Sequence, residues 1–115
     1  MTQNSIVTTD LLAAVREAAA RIHDAIYYTP CPYSAKLSKA TGQQIYLKLE
    51  NLQMTGAFKE RGALNKILLL SAEERERGVI AASAGNHAQA VAIASRHVGA
   101  EATIVMPEDA PKAKL

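Results

Sequence analysis

The stretch "VIAASAGNHAQAVAIASRHVGAEATIVMP", residues 79–107, places a helical pattern between two short apolar runs. Residues 79–83 and 101–107 have the length and composition of buried strands, and Pro107 ends the second run. The intervening "HAQAVAIASRHV" indicates a helix that stops at Gly99. Two parallel strands need a crossover of this kind. The stretch therefore predicts an α/β fold with a parallel sheet and crossover helices.

The preceding half of the chain extends this pattern. "QIYLKLE", residues 44–50, alternates apolar and polar side chains with a period of two, which predicts a third strand. From Phe58 to Leu70 the apolar side chains recur on one face of a helix. The "YYTPCPYS" segment, residues 27–34, contains two prolines within three residues, so we expect an extended connection there.

Three further segments carry helix signals. Apolar residues recur at helical spacing from Leu11 to Ile26, with Asp10 or Thr9 as the expected cap. In "SAEERERG" the first residue is expected to form a capping box with the glutamate three positions later, and the glycine to stop the helix. "EDAPKAKL", residues 108–115, begins another helix, but the chain stops within about one turn. We expect a cut chain on this ground.

Composition excludes several functions. With 115 residues, of which 49% are hydrophobic, we expect one packed domain at most. The net charge of +2 comes from scattered residues of both signs, so the sequence indicates neither nucleic acid nor anionic lipid as a partner. Because Cys31 is the only cysteine, no internal disulfide is expected, and a reducing cytoplasm fits. No apolar run reaches the ~20 residues of a membrane span.

The segment "TGAFKERGA", residues 55–63, places Lys59 where a helix begins. A lysine taken alone is usually a solvated side chain. At a helix N-terminus, however, the positive end of the dipole disfavours the ammonium form, and a free amine is a nucleophile toward aldehydes. The ring of Phe58 either packs in the core or lies against a flat cofactor.

The segment "SAGNHAQ", residues 83–89, lies between a predicted strand and a helix. Gly85 permits close approach to the backbone, and free amides at the helix start bind anions such as carboxylates. The other interpretation is a simple turn capped by Asn86. The motif "AASAG" lacks the first glycine of a hydrolase nucleophile elbow, so a hydrolase with Ser83 as its nucleophile is a minor alternative. His87 and His97 do not have metal-pair spacing, and no metal site is expected.

The chain is identified by its motifs as a member of a known enzyme family. "KLENLQMTGAFKERGA", "ASAGNHAQAVA" and "IVMPEDAPKAKL" resemble, in order and spacing, the N-terminal part of the threonine dehydratases. These belong to the tryptophan-synthase-β-like, fold type II group of pyridoxal-phosphate enzymes. The resemblance implies part of that α/β fold, with residues 1–52 in a large domain and residues 53–115 beginning a small one.

The resemblance also assigns roles to site residues. It implies that Lys59 binds pyridoxal 5'-phosphate covalently and later acts as the general base. Phe58 matches the residue packed against the cofactor ring, and Asn86 the residue that binds its phenolic oxygen. The substrate carboxylate would bind the loop of Ser83, Gly85, Asn86 and His87. The family usually has serine at the position of Ala57, and glycine is common at the position of Ala90. In the related serine racemases, the position of Ala84 is a serine that acts as a second acid/base.

The implied reaction is elimination of water and ammonia from L-threonine or L-serine, giving a 2-oxo acid. The implied partners are the amino-acid substrate and further copies of the full-length chain, with no nucleic acid or membrane. Residues that hold the cofactor phosphate lie downstream in this family, so we expect the 115-residue chain alone to be inactive. The alternatives are a catalytically inactive fragment or interaction module, and thirdly an α/β hydrolase.

Overall fold

The structure is a computed structural model that describes residues 10–110. The elements it describes are α1 (Leu11–Ile22), α2 (Ala35–Thr41), α3 (Lys59–Leu68), α4 (Ala72–Arg77), β1 (Val79–Ala82), α5 (Asn86–Val98) and β2 (Ala102–Val105). Short 3₁₀ turns lie at His23–Ala25 and Glu50–Leu52. None of the helices in residues 10–110 is long and apolar enough to cross a membrane.

The predicted crossover unit is confirmed. Strands β1 and β2 pair in parallel, in register from Val79 opposite Ala102 to Ala82 opposite Val105, and α5 connects them. Alternate residues of each strand are partly buried, while Ile80 remains 80% exposed on the other face. The strand periodicity therefore directs one face of the sheet toward the helices.

The strand predicted at residues 44–50 is wrong. Within residues 10–110 the segment forms only an isolated antiparallel bridge, Tyr33 opposite Tyr46. The amides of Leu47 and Leu49 donate to the carbonyl oxygens of Pro32 and Pro30, at 2.9 and 3.0 Å. Because proline has no N–H group, neither proline returns the second hydrogen bond of an antiparallel pair. The segment opposite residues 44–50 therefore lacks the N–H donors that a regular antiparallel ladder needs.

One helix was not predicted. Helix α2 follows Ser34, whose hydroxyl accepts a hydrogen bond from the amide of Leu37 at 3.4 Å. Gly42 ends the helix with a φ of 71°, in the left-handed region. A serine cap and a glycine stop on either side of seven residues are the signal that could have predicted it.

The other helices agree with the predictions apart from their bounds. Asp10 caps α1, accepting from the amides of Leu12 and Ala13 at 3.1 and 3.3 Å. The helix ends at Ile22, followed by a 3₁₀ turn, rather than at Ile26. The capping box of α4 is confirmed, and Gly78 ends that helix. Thr9 and the end of the last predicted helix, residues 111–115, lie outside the described residues.

The core lies mainly between α3 and α5. Its buried residues are Ile22, Ala63, Leu64, Ile67, Ala90, Val91 and Ala94. Three of these are alanines, which let helix backbones approach closely, and Ala90 is only 1% exposed. The contact between the two helices fixes the relative position of their first turns, which carry both predicted site motifs. The division into domains at residue 52 stays a prediction.

Candidate active site

Lys59 is the first residue of α3, as predicted. Its amine lies 5.5 Å from the centroid of the Phe58 ring, and Lys59 forms no ion pair with any residue of the 10–110 range. Phe58 is 60% exposed, so the interpretation of this ring as a core residue is wrong. The first turn of α3 therefore presents an accessible amine beside an exposed aromatic face.

The loop that leads into Lys59 is closed by short-range hydrogen bonds. The amide of Gly56 donates to the carbonyl of Gln53 at 2.9 Å, and Gly56 has a φ of 70°. The carboxylate of Glu60 accepts a hydrogen bond from the amide of Thr55. Ala57 is buried, 7% exposed, so its methyl group occupies the interior side of this loop.

A polar cluster behind the loop was not predicted. Arg61 donates to both carboxylate oxygens of Glu50, from Nε at 2.7 Å and from Nη2 at 2.9 Å. Thr29 Oγ1 donates to the same carboxylate at 2.6 Å. The Arg61 hydrogen bond lowers the pKa of Glu50 to about 2, although burial opposes the shift, and Glu50 in turn raises the pKa of Arg61. No local pattern in the sequence indicates that Glu50 and Arg61, eleven positions apart, form a pair.

The second predicted motif forms the turn from β1 into α5. The amide of Ser83 donates to the carbonyl of Val105 at 3.0 Å, and the amide of Gly85 to Ser83 Oγ at 3.3 Å. The N-cap of α5 is Gly85, without a side-chain hydrogen bond, so the prediction of Asn86 as the cap is wrong. Asn86 is instead the first helical residue. The amides of Asn86 and His87 have no protein acceptor within residues 10–110.

Residues of both motifs line an open depression of about 270 Å³ that includes Lys59. Its lining residues are Phe58, Lys59, Arg61, Gly62, Ala63 and His87. Ser83, Gly85 and Asn86 do not line it but lie in the turn immediately before His87. Within the described range, no cluster of three or more His, Cys, Asp or Glu side chains has metal-binding geometry. The depression thus combines an accessible lysine amine, an aromatic ring and the start of a helix.

Comparison with known proteins identifies the chain. The pyridoxal-phosphate dependent enzyme family matches residues 22–115. This chain belongs to that family. Its member L-threonine ammonia-lyase of Thermotoga maritima is 56% identical over 104 residues, which cover 90% of this chain and 26% of the relative. The identification as a threonine-dehydratase-like sequence is confirmed, and so is pyridoxal phosphate as the cofactor of the family.

Solved structures of this pyridoxal-phosphate dependent family share the fold. Maize serine racemase has a TM-score of 0.82 and 42% identity, covering 89% of this chain and 31% of that one. Processed threonine deaminase isoform 2 from Solanum lycopersicum has a TM-score of 0.79 and 40% identity, covering 93% and 30%. The predicted fold type II α/β architecture is confirmed. The chain spans about a quarter to a third of the relatives it matches.

The described residues fit the family's cofactor. Pyridoxal phosphate carries an aldehyde, a flat ring and anionic oxygens. The depression offers an accessible amine at Lys59 and an exposed ring at Phe58, and the neighbouring α5 start offers unpaired amides. Membership of the family leaves the hydrolase alternative at Ser83 without support. The individual roles of Lys59, Phe58 and Asn86 stay predictions.

Proposed function

We propose that the whole protein containing this sequence eliminates water and ammonia from L-threonine, and from L-serine, to give a 2-oxo acid. The observation that carries the proposal is the depression shared by Lys59 and His87, which brings the amine and the start of α5 together. Similarity to L-threonine ammonia-lyase supports the reaction type and the substrate. Because the chain spans 26% of that relative, the activity is proposed for the whole protein.

Each residue then has a defined task. The amine of Lys59 would bind pyridoxal phosphate covalently, and, once released by the substrate amine, would accept the α-proton as general base. Phe58 would lie against the cofactor ring and the Asn86 side chain would donate to its phenolic oxygen. When bound, the cofactor supplies an electron-withdrawing ring that stabilises the negative charge left at the α-carbon.

The substrate carboxylate would bind the turn of Ser83, Gly85, Asn86 and His87. Unpaired amides at a helix start favour an anion through their N–H groups and the local dipole. Gly85 leaves the approach to these amides free of a side chain. The carboxylate bound here would place the α-carbon toward Lys59, on the other wall of the depression.

Racemisation of serine is a second candidate, supported by the 42% identity to maize serine racemase. Ala84 favours elimination over racemisation, because an alanine provides no second acid/base on the face opposite Lys59. The test is to supply the whole protein with pyridoxal phosphate and L-threonine or L-serine, and to measure 2-oxo acid and D-amino acid separately. A 2-oxo acid in large excess supports elimination, while D-serine as the main product would replace it.

The chain of 115 residues is proposed to be inactive alone, which the same assay on residues 1–115 tests. An inactive whole protein would support the alternative of an interaction module. We also propose a cytoplasmic location and a homo-oligomeric whole protein whose substrate is an amino acid and whose partners include neither nucleic acid nor membrane. The exposed and unpaired Cys31 fits a reducing compartment. Light scattering of the whole protein measures its oligomeric state.

A further inference from the structure

The first turn of α3 has no ordinary cap. Phe58 occupies the N-cap position, and its side chain accepts no hydrogen bond from the helix amides. The first N–H groups of a helix need partners outside it, and helix ends without them fray. Lys59 is the first residue of this turn. Something other than a cap must therefore fix the direction in which its amine points.

The residue after Lys59 provides one attachment. Glu60 is only 5% exposed, and its carboxylate accepts a hydrogen bond from the amide of Thr55. This bond runs from the first turn of α3 back to the loop before it. A buried carboxylate that accepts a backbone N–H is a strong, charge-assisted hydrogen bond. Glu60 therefore ties the loop on one side of Lys59.

The next residue provides a second attachment. Arg61 forms a two-point fork with Glu50, at 2.7 and 2.9 Å. Glu50 is itself held by the Thr29 hydroxyl at 2.6 Å, and by the amide of Gln53 at 3.4 and 3.5 Å. The Gln53 side chain also bonds to both backbone groups of Tyr27, at 3.0 and 3.2 Å. Arg61 thus connects the first turn of α3 to two earlier segments of the chain.

We propose that the Glu50–Arg61 ion pair and the Glu60–Thr55 hydrogen bond, together the α3 clamp, position Lys59. The clamp fixes the backbone on both sides of the lysine, so that the amine stays beside the Phe58 ring and inside the depression. Arg61 lines the depression with Lys59, but its donors are directed to Glu50. The residues of the α3 clamp are therefore positioning residues. The catalytic consequence rests on the proposed function of Lys59.

The clamp is tested in the whole protein without cofactor, by comparing Arg61→Met with the control Arg77→Met. Arg77 also pairs with a glutamate, Glu73, but at 3.8 Å and largely in solvent. Amide hydrogen exchange of residues 53–64 should become about tenfold faster in Arg61→Met, the factor expected from a lost charged hydrogen bond, and should stay unchanged in Arg77→Met. Exchange in residues 86–98 should change in neither.

A second readout follows the lysine itself. Pyridoxal phosphate is added to the same proteins, trapped with borohydride, and mapped onto Lys59 and Lys66. The share of label on Lys59 should fall in Arg61→Met. In an active holoenzyme, kcat should fall roughly ten- to hundredfold with a smaller change in KM, as for a misplaced reacting group. Unlabelled Lys59 in the unaltered protein would contradict the proposed function, whereas the exchange measurement still decides on the clamp.

The double variant Glu50→Gln/Arg61→Met controls for folding. Removing Arg61 alone leaves a half-buried unpaired carboxylate, whereas the double variant leaves none. If the pair acts as a unit, the double variant loses no more than either single variant does, and additive losses would contradict the proposal. Unchanged exchange in residues 53–64 would overturn the proposal. So would an equal increase in residues 86–98, since that indicates general destabilisation.

Discussion

Lys59 and His87 line the same depression, although one begins α3 and the other begins α5. The packing of these helices through Ala63, Ala90 and Val91 brings the two starts together. The roles proposed for them, a reactive amine and an anion-binding helix start, are useful to one substrate only if both face the same space. The contact between α3 and α5 is therefore the element of the fold on which the proposed chemistry depends.

Lys59→Ala in the whole protein should abolish the covalent attachment of pyridoxal phosphate. We expect the absorbance of the bound cofactor to change and turnover to fall by at least about a hundredfold, since a general base is lost. Lys66→Ala, two turns along the same helix, is the control and should retain both the absorbance of the bound cofactor and the turnover of the unaltered protein. Borohydride label that persists on another lysine in Lys59→Ala would contradict the assignment.

Ala84→Ser should raise racemisation relative to elimination. The substitution adds a hydroxyl on the face opposite Lys59, by the resemblance to serine racemases. We expect a small gain, because an acid/base group needs a suitable pKa as well as a position. Chiral chromatography of serine recovered from the whole protein measures it. A D-serine level equal to that of the unaltered protein would argue against this role of position 84.

Acid should weaken the protein through Glu50. Because Arg61 lowers the pKa of Glu50 in the folded state from 4.5 to about 2, its ionised form stabilises the fold above pH 4.5. That stability is lost as the pH falls from about 4.5 to about 2. We expect a contribution on the order of 1–2 kcal/mol, because solvent screens the partly exposed pair.

Denaturant unfolding at several pH values should show a smaller loss over this range in Glu50→Gln. Glu73→Gln removes the carboxylate of an exposed pair and serves as the control. The interpretation fails if Glu50→Gln and the unaltered protein lose the same free energy of unfolding between pH 5 and about 2.

Ala90→Leu should destabilise the fold, whereas Ala92→Leu should not. Ala90 is 1% exposed in the core between α3 and α5, while Ala92 lies on the exposed side of the same helix. Overpacking a core position costs about 1–3 kcal/mol. Thermal unfolding of both variants measures the difference. Equal melting temperatures would show that the helices separate without cost.

Gly78→Ala should be more harmful than Gly42→Ala. Gly78 has a φ of 76° and a ψ of −174°, a region almost restricted to glycine, and a β-carbon there would lie 2.8 Å from the carbonyl oxygen of Glu101. The same carbonyl oxygen of Glu101 accepts a hydrogen bond from the amide of Val79 at 2.9 Å, at the start of the β1–β2 pairing.

Gly42 also has a positive φ, of 71°, but no atom within 4 Å of the added carbon. We expect about 1 kcal/mol of destabilisation at Gly42, from the left-handed conformation alone. At Gly78 we expect about 2–3 kcal/mol, from strain and the clash. Free energies of unfolding from denaturant titration distinguish the two. Similar values at both positions would show that the Glu101 segment moves aside readily.

Local sequence signals predicted much of the fold. The extent of β1, β2 and α5, the capping box of α4 and the start of α3 at Lys59 each depend on residues close together in the chain, and the strand–helix–strand order then implies the parallel pairing. The strand predicted at residues 44–50 failed because its pattern is local but a ladder needs donors on its partner. That partner contains Pro30 and Pro32, which accept hydrogen bonds without returning them.

The sequence by itself determined the two motifs, because each is encoded within one short segment, and their order and spacing along the chain determined the family and its cofactor. Only the tertiary structure decided that Lys59 and His87 share a depression, and that Arg61 is paired with Glu50. Both relationships join residues from different segments, and they arise from the burial of small side chains between helices and the partial burial of an ion pair. The free energy of such contacts depends on the packing of the whole fold, which a local pattern does not contain.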